Sequence, residues 1–496
     1  TTGTGNTAIG SLSLDGNTTA SYNTAIGNEA MGNNVDGSRN TAVGYAALFT
    51  MDPDSATDTH NTAVGFESLK LNTTGTQNTA LGSGALDANT TASSGTAVGY
   101  NSLGANTTGV ANVGLGQNSL ASNTTASDNT ALGSHSLDTN TTGASNTGVG
   151  RNALRANTTA SNNTAVGKDS LLANTTGTQN TSVGGSSLDA NTTGNYNTAV
   201  GFGSLSANTT ASESTAVGAG ALQANTTGAN NTGVGRLALG ANTTGLQQVA
   251  FGSEALDANT EGNYNAAFGH GALQANTTGA NNTAVGRLAL GANTTGVQQV
   301  AFGSEALDAN TEGNYNAAFG HGALGSNTTA SNNTGIGTYS LTANTTGANN
   351  TAVGHITLTA NTTGAQNTAI GRNALGATTT GINNTAAGHS AVAANTTGSQ
   401  NTGFGYQSLA ANTTGVQNVA IGDNALNANT TANYNTALGS SALLLNTTGT
   451  QNVAIGAFAL DSNTTGDYNT ALGYQALRQN ETADNNSGIG YRALLE

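Results

Sequence analysis

Asn163-Thr164-Ala165-Val166-Gly167-Lys168-Asp169-Ser170-Leu171-Leu172-Ala173-Asn174-Thr175-Thr176-Gly177-Thr178-Gln179 decides how this chain folds, because the same pattern returns at Asn180 and again every 17 residues. Written as N-T-A-V-G-x-x-A-L-x-A-N-T-T-G-x-x, the pattern starts coils at Asn6, Asn23 and Asn40, and from Asn61 runs without a slip to Asn486. Twenty-nine coils cover the 496 residues, with one length change in the third coil near residues 49–58, around the sole proline, Pro53. A repeat of fixed period is the signature of a stacked architecture and must be read before any local element. We read residues 1–496 as one continuous solenoid with a bulging loop at the insertion.

A 17-residue unit is too short for the helix pairs of helical repeats. It is also punctuated by Gly and Asn-Thr, which are poor helix formers. Two short extended runs remain, Thr-Ala-Val at coil positions 2–4 and Ala-Leu-x-Ala at positions 8–11, joined by turns rich in Gly and Asn. The expected fold is therefore all-β, a parallel β-solenoid (β-roll) of about 29 coils, each about 4.8 Å above the last.

The columns assign faces. Position 9 is Leu in all coils but those of Met31 and Val392, so Leu14, Leu69, Leu86, Leu103, Leu120 and Leu137 are expected to form a buried spine. Position 4 is Val, Ile, Leu or Phe except at Ala387, and reads as a second inward column. Strand alternation then turns position 3 outward. That position is always Ala, Gly or Ser, as at Ala42 and Ala63, beside the Gly column of Gly10, Gly27 and Gly44. An outward column kept small predicts a close-packing face for a neighbouring chain, most simply in a symmetric trimer.

The termini belong to the same register. Thr1, Thr2 and Gly3 match coil positions 13–15, and Leu494, Leu495 and Glu496 match positions 9–11, so an end-to-end contact between subunits is expected. Residues 231–281 and 282–332 are near copies, a duplication that a stack of nearest-neighbour contacts accepts easily.

A net charge of −15 with ten Lys and Arg leaves no basic stripe for phosphates, so no nucleic-acid partner is expected. No apolar run reaches the ~18 residues of a membrane helix. The six His are spread over separate coils, there is no Cys, and the sequence suggests no Ser-His-Asp grouping, calcium-roll motif or cofactor motif. We expect neither an enzyme nor a metal or cofactor site. The Asn-Thr-Thr stretches (Asn17, Asn72, Asn89, Asn106) read either as N-glycosylation acceptors or as stacked Asn amides forming a ladder. The Thr-Thr pair in them also keeps an ice-binding solenoid open as an alternative. Turn tyrosines such as Tyr22, Tyr196 and Tyr264 suit either a sugar-stacking surface or a cover for the coil edge.

The core Thr41-Ala42-Val43-Gly44-Tyr45-Ala46-Ala47-Leu48 resembles the head repeats of YadA-like trimeric autotransporter adhesins, and is similar to repeats in some phage tail-fibre proteins. The resemblance touches every coil. It implies a left-handed roll, a parallel trimer, display at a cell or virion surface, and adhesion to matrix or other host surfaces. The expected function is a secreted structural fibre or filament subunit with an adhesive surface, with a phage tail-fibre shaft as an alternative.

Overall fold

The computed structural model describes residues 2–495. The coil starting at Asn129 shows how 17 residues close a turn. Thr130–Leu132 is its only strand, paired in parallel and in register with Val113–Leu115 on one side and Thr147–Val149 on the other. The strand ends at Gly133 (φ 135°), and left-handed residues follow at His135 (φ 58°), Leu137 (φ 52°) and Ser145 (φ 58°). Placing them at every second residue curls the chain while its amides stay directed along the stack. The Gly133 and His135 N–H groups donate to the preceding coil, at Leu115 and Gln117. Those of Leu137, Thr139 and Thr141 donate to the following coil, at Ala153, Arg155 and Thr158. Turn and strand backbone alike are therefore satisfied by neighbouring coils, as buried polar groups require.

Twenty-nine such three-residue strands, one per coil, occur among the described residues, and there is no helix. Two compact units carry them, Thr1–Gln248 and Val249–Glu496. The first holds the strands from Thr7–Ile9 to Thr232–Val234, the second those from Val249–Phe251 to Ser487–Ile489. Each is a parallel β-solenoid of the same 17-residue coil.

The expected second extended run, at positions 8–11, is not a strand. The segment after each Gly is turn throughout, because the Leu itself is left-handed, as at Leu137, Leu154 (φ 53°) and Leu171 (φ 50°). Alternation from Leu outward is lost there, and position 11 is half-buried at Ala88, Ala105 and Ala173 and exposed at Leu71 and Thr139.

The facing of the strand is also the reverse of the expectation. Ala42, Ala63, Ala80 and Ala97 at position 3 are fully buried, whereas the bulkier residues at position 4 face out, among them Ile26, Leu81 and Leu115. Positions 3 and 4 do lie on opposite faces, but the larger side chain is outside. The interior is narrow, and Leu from position 9 fills it. The Cβ that would be added at Gly148, a position-3 glycine, would lie 3.5 Å from Leu137 Cδ1, so only small side chains fit opposite the spine, the largest being the fully buried Ser182.

In the first unit the insertion leaves the coil at Asp52 and returns through Thr57–Asp58, which pairs in parallel with Gly37–Ser38. An Arg39 Nε–Asp58 Oδ2 ion pair of 2.8 Å ties the loop to the coil before it. Met51 stays fully buried in the stack.

Two asparagine ladders line the core. At position 1, Asn23 Nδ2 donates to the Gly37 carbonyl of its own coil (2.9 Å), and its Oδ1 accepts from Asn40 N–H (2.8 Å) in the next. At position 12, Asn89 Nδ2 donates to Asn72 Oδ1 (2.7 Å) and Asn123 Nδ2 to Asn106 Oδ1 (2.8 Å). The same nitrogens also reach the carbonyls of Ala92 (3.1 Å) and Ala126 (3.0 Å). Buried amides are thus paired lengthwise, which removes most of the cost of burying them.

The position-12 ladder breaks at Thr378. Asn361 Oδ1 is left buried without a partner, and Asn395 Nδ2 reaches Thr378 Oγ1 only at 3.4 Å. Thr378→Asn should restore both bonds and raise stability by about 1–2 kcal/mol, read as a higher urea midpoint. A lower midpoint would show that the ladder does not carry the coil.

Candidate interaction face

The spine residues lie where the columns put them. Leu69, Leu86, Leu103, Leu120 and Leu137 are buried to within 1% and Leu14 to 9%. The Gly column is close-packed, but against its own chain. A Cβ on Gly10, Gly27 or Gly44 would sit 2.5, 2.5 or 2.4 Å from the carbonyl oxygen of the Gly one coil later. With φ of 133–134°, these glycines serve coil stacking. Together with the inward Ala42 and Ala63, this removes the small outward face that was expected to take a neighbouring chain.

Asn72, Asn89 and Asn106 are buried and Asn17 is half-buried. The Nδ2 of Asn89 and of Asn106, the atom a sugar would occupy, donates to the Asn one coil earlier and to a backbone carbonyl, while that of Asn72 donates to the Gly75 carbonyl and faces Met51 Sδ at 3.1 Å. The Thr that follows each Asn is committed too. Thr90 Oγ1 donates to the Thr107 carbonyl (3.1 Å) and Thr107 Oγ1 to the Thr124 carbonyl (3.0 Å), leaving only the second Thr of the pair exposed. Of the proposed end-to-end residues, Thr1 and Glu496 lie outside the described residues. Thr2 is exposed and its N–H donates to Thr18 O, Gly3 and Leu495 are half-buried, and Leu494 is exposed.

What the strands present outward is a two-column face. In residues 2–248 position 2 is Thr in every coil except that of Val113, and position 4 is aliphatic throughout. In the duplicated block the pair changes together, to Val249/Phe251, Ala266/Phe268, Val300/Phe302 and Ala317/Phe319. Phe251 stacks on Phe268 at 5.5 Å and Phe302 on Phe319 at 5.3 Å, and each ring is 40–42% exposed. Offset stacking lines the rings along the coil axis and leaves one edge of each in water. Position 6 flanks this face with a third exposed column, which holds the stacked pairs Tyr45–Phe66 and Tyr474–Tyr491. Sequence reasoning missed the face because it ranked the two strand positions by hydrophobicity alone. The absence of any residue larger than Ala or Ser at position 3 was the available signal.

Carboxylates sit on the turn beside these columns. Burial pushes Asp87, Asp189, Asp308 and Asp461 above the ordinary carboxylate range, with Arg478 partly opposing the effect at Asp461. A folded pKa above the unfolded one means that the fold binds protons more tightly, so the contribution to stability is present at low pH and lost as pH rises through the folded value. The melting temperature should therefore rise as pH falls from about 7 to about 4, with relief of the net negative charge acting in the same direction. A flat or falling profile would overturn this.

Among the described residues no group of three His, Asp or Glu is placed to hold a metal, and no helix is long and apolar enough to cross a membrane. The fold defines a class: a repeat protein of the parallel β-solenoid type. No family model matches the chain, and no curated protein matches it.

Proposed function

We infer that this chain is a structural fibre or filament subunit of an extracellular or virion surface, acting through its length and its repeated surface and associating with copies of itself through the strand face. The observation that carries the reading is the apolar column itself. In Val249–Glu496 the position-4 side chains, among them Phe251, Phe268, Phe302, Phe319, Ile336, Ile370, Phe404 and Leu438, leave about two-fifths of their surface in water, coil after coil. A soluble monomer rarely leaves so long an apolar stripe in water. The face carries no charge, and Phe against Phe is self-complementary. It takes over the self-association role that the sequence had assigned to the small residues, and it suits the adhesin-like resemblance of the coil.

The purified protein should sediment as an oligomer. Replacing Phe251, Phe268, Phe302 and Phe319 together with Thr should shift it toward monomer with an unchanged far-UV spectrum. A wild-type monomer at micromolar concentration would end the self-association reading.

A second reading stays attached to residues 2–248. Thr from position 2 and aliphatic residues from position 4 form an uncharged lattice, and this Thr column takes no part in the threonine-to-carbonyl bonds of the turn. Such a surface suits ordered water, and thermal hysteresis of the 2–248 face in the intact chain would support an ice-binding role.

A further inference from the structure

His and Arg are not scattered when read by column. His270, Arg287, His321, His355, Arg372 and His389 all occupy position 6, on the edge of the strand face in Val249–Glu496, and all are exposed. Four of the chain's six His and two of its ten Lys and Arg stand in this single line. The carboxylates are cleared from its second half. From Gly313 to Gly422 there is no Asp or Glu, although the whole chain carries 25 and a net charge of −15. This stretch contains His321, His355, Arg372 and His389 and no other basic residue.

The side chains are in register along the stack. Arg372 Nη1 lies 3.1 Å from His389 Nε2, and the His389 ring stacks on Tyr406 at 5.5 Å. Tyr339 stands edge-on to His321 at 5.1 Å. Column neighbours recur about every 4.8 Å, so His321 and His389, four coils apart, are separated by about 19 Å. The groups facing this line are Thr338, Ser390 and the phenols of Tyr339 and Tyr406, with Arg372 between two of the imidazoles. The nearest carboxylates in sequence belong to flanking coils, Glu305, Asp308 and Glu312 before it and Asp423 after it.

We propose that the position-6 column from His321 to Tyr406 binds a linear acidic polysaccharide, a polyuronate, more tightly as pH falls. This rests on the adhesive part of the function inferred above and names its partner. An extended pyranose chain advances about one ring per coil, so ring carboxylates fall in register with the four basic residues His321, His355, Arg372 and His389. Tyr339 and Tyr406, 42% and 51% exposed, offer ring faces to the C–H surfaces of the sugars. Imidazole gains its charge between neutral and mildly acidic pH. Uronate carboxylates remain ionised there, so attraction grows on acidification.

The test uses the full chain on immobilised polygalacturonate, with neutral dextran and single-stranded poly(dT) as comparisons. Binding at about pH 5.5 should exceed that at about pH 8 by about tenfold and should fall with added salt. The variant His321→Gln, His355→Gln, Arg372→Gln and His389→Gln should lose it. Replacing the three His with Arg should hold binding at about pH 8 and flatten the pH profile. All four sites are exposed, so sedimentation and melting should match wild type, which keeps this result separate from the self-association test. Equal binding by the Gln variant, equal capture on dextran, or stronger capture on poly(dT) would each overturn the proposal.

Discussion

Gly150→Ala, like the same change elsewhere in its glycine column, should be severely damaging for one added methyl group, lowering stability by about 3–5 kcal/mol. Its φ of 130° is open to glycine and strained for any other residue. The added Cβ would lie 2.5 Å from Gly167 O and 2.7 Å from Gly167 C, backbone atoms of the next coil that have no freedom to swing away. Two adjacent coils must therefore separate, and with them the Gly167 N–H bond to Val149 O (2.7 Å). Stability in a stacked repeat is a sum of nearest-neighbour terms, so the damage should be local. Hydrogen exchange should show loss of protection in the coils around 146–179, with distant coils unchanged. Gly84 provides the control: its φ is 66°, nothing lies within 4 Å of the added Cβ, and Gly84→Asn should be nearly neutral. Similar losses in both variants would show that glycine acts through the unfolded chain and not through coil contact.

Asn140→Asp should be nearly as severe at neutral pH, although the side chain keeps its shape. Asn140 Nδ2 donates to Asn123 Oδ1 (3.0 Å) and to Gly143 O (2.9 Å), while its Oδ1 accepts from Asn157 Nδ2 (2.8 Å). A carboxylate keeps only the last bond and turns the first two into contacts between acceptors. The residue is fully buried, so an uncompensated charge there should cost about 3–5 kcal/mol. Protonation restores one donor, so the loss should shrink as the solution is acidified to about pH 4. Urea midpoints of wild type and variant across pH measure this. A pH-independent difference would mean that the ladder amides are not held in the dry core.

Much of the architecture was legible because a fixed 17-residue period leaves little choice. Leu137 and its equivalents form the spine, the single length change is the loop that leaves at Asp52, and the Asn column of Asn72 and Asn89 is a ladder. The interaction surface was not legible in the same way. Val166 and Leu132 look like core by composition, and Ala165 and Ala131 look like a contact surface, yet Ala131 and Ala165 are the fully buried ones. The position-6 cations were visible as letters, but they make a line only when the coils are stacked in register.

The amino-acid order alone determined the coil length, the parallel stacking and the positions that cannot vary, because period and glycine placement are local properties of the chain. Which side of the strand faces inward depends instead on the width of the space left once left-handed Leu residues have filled it. That width is a property of the closed coil. Only the tertiary structure decided that alanine fits inside and that valine, isoleucine and phenylalanine are left for a partner.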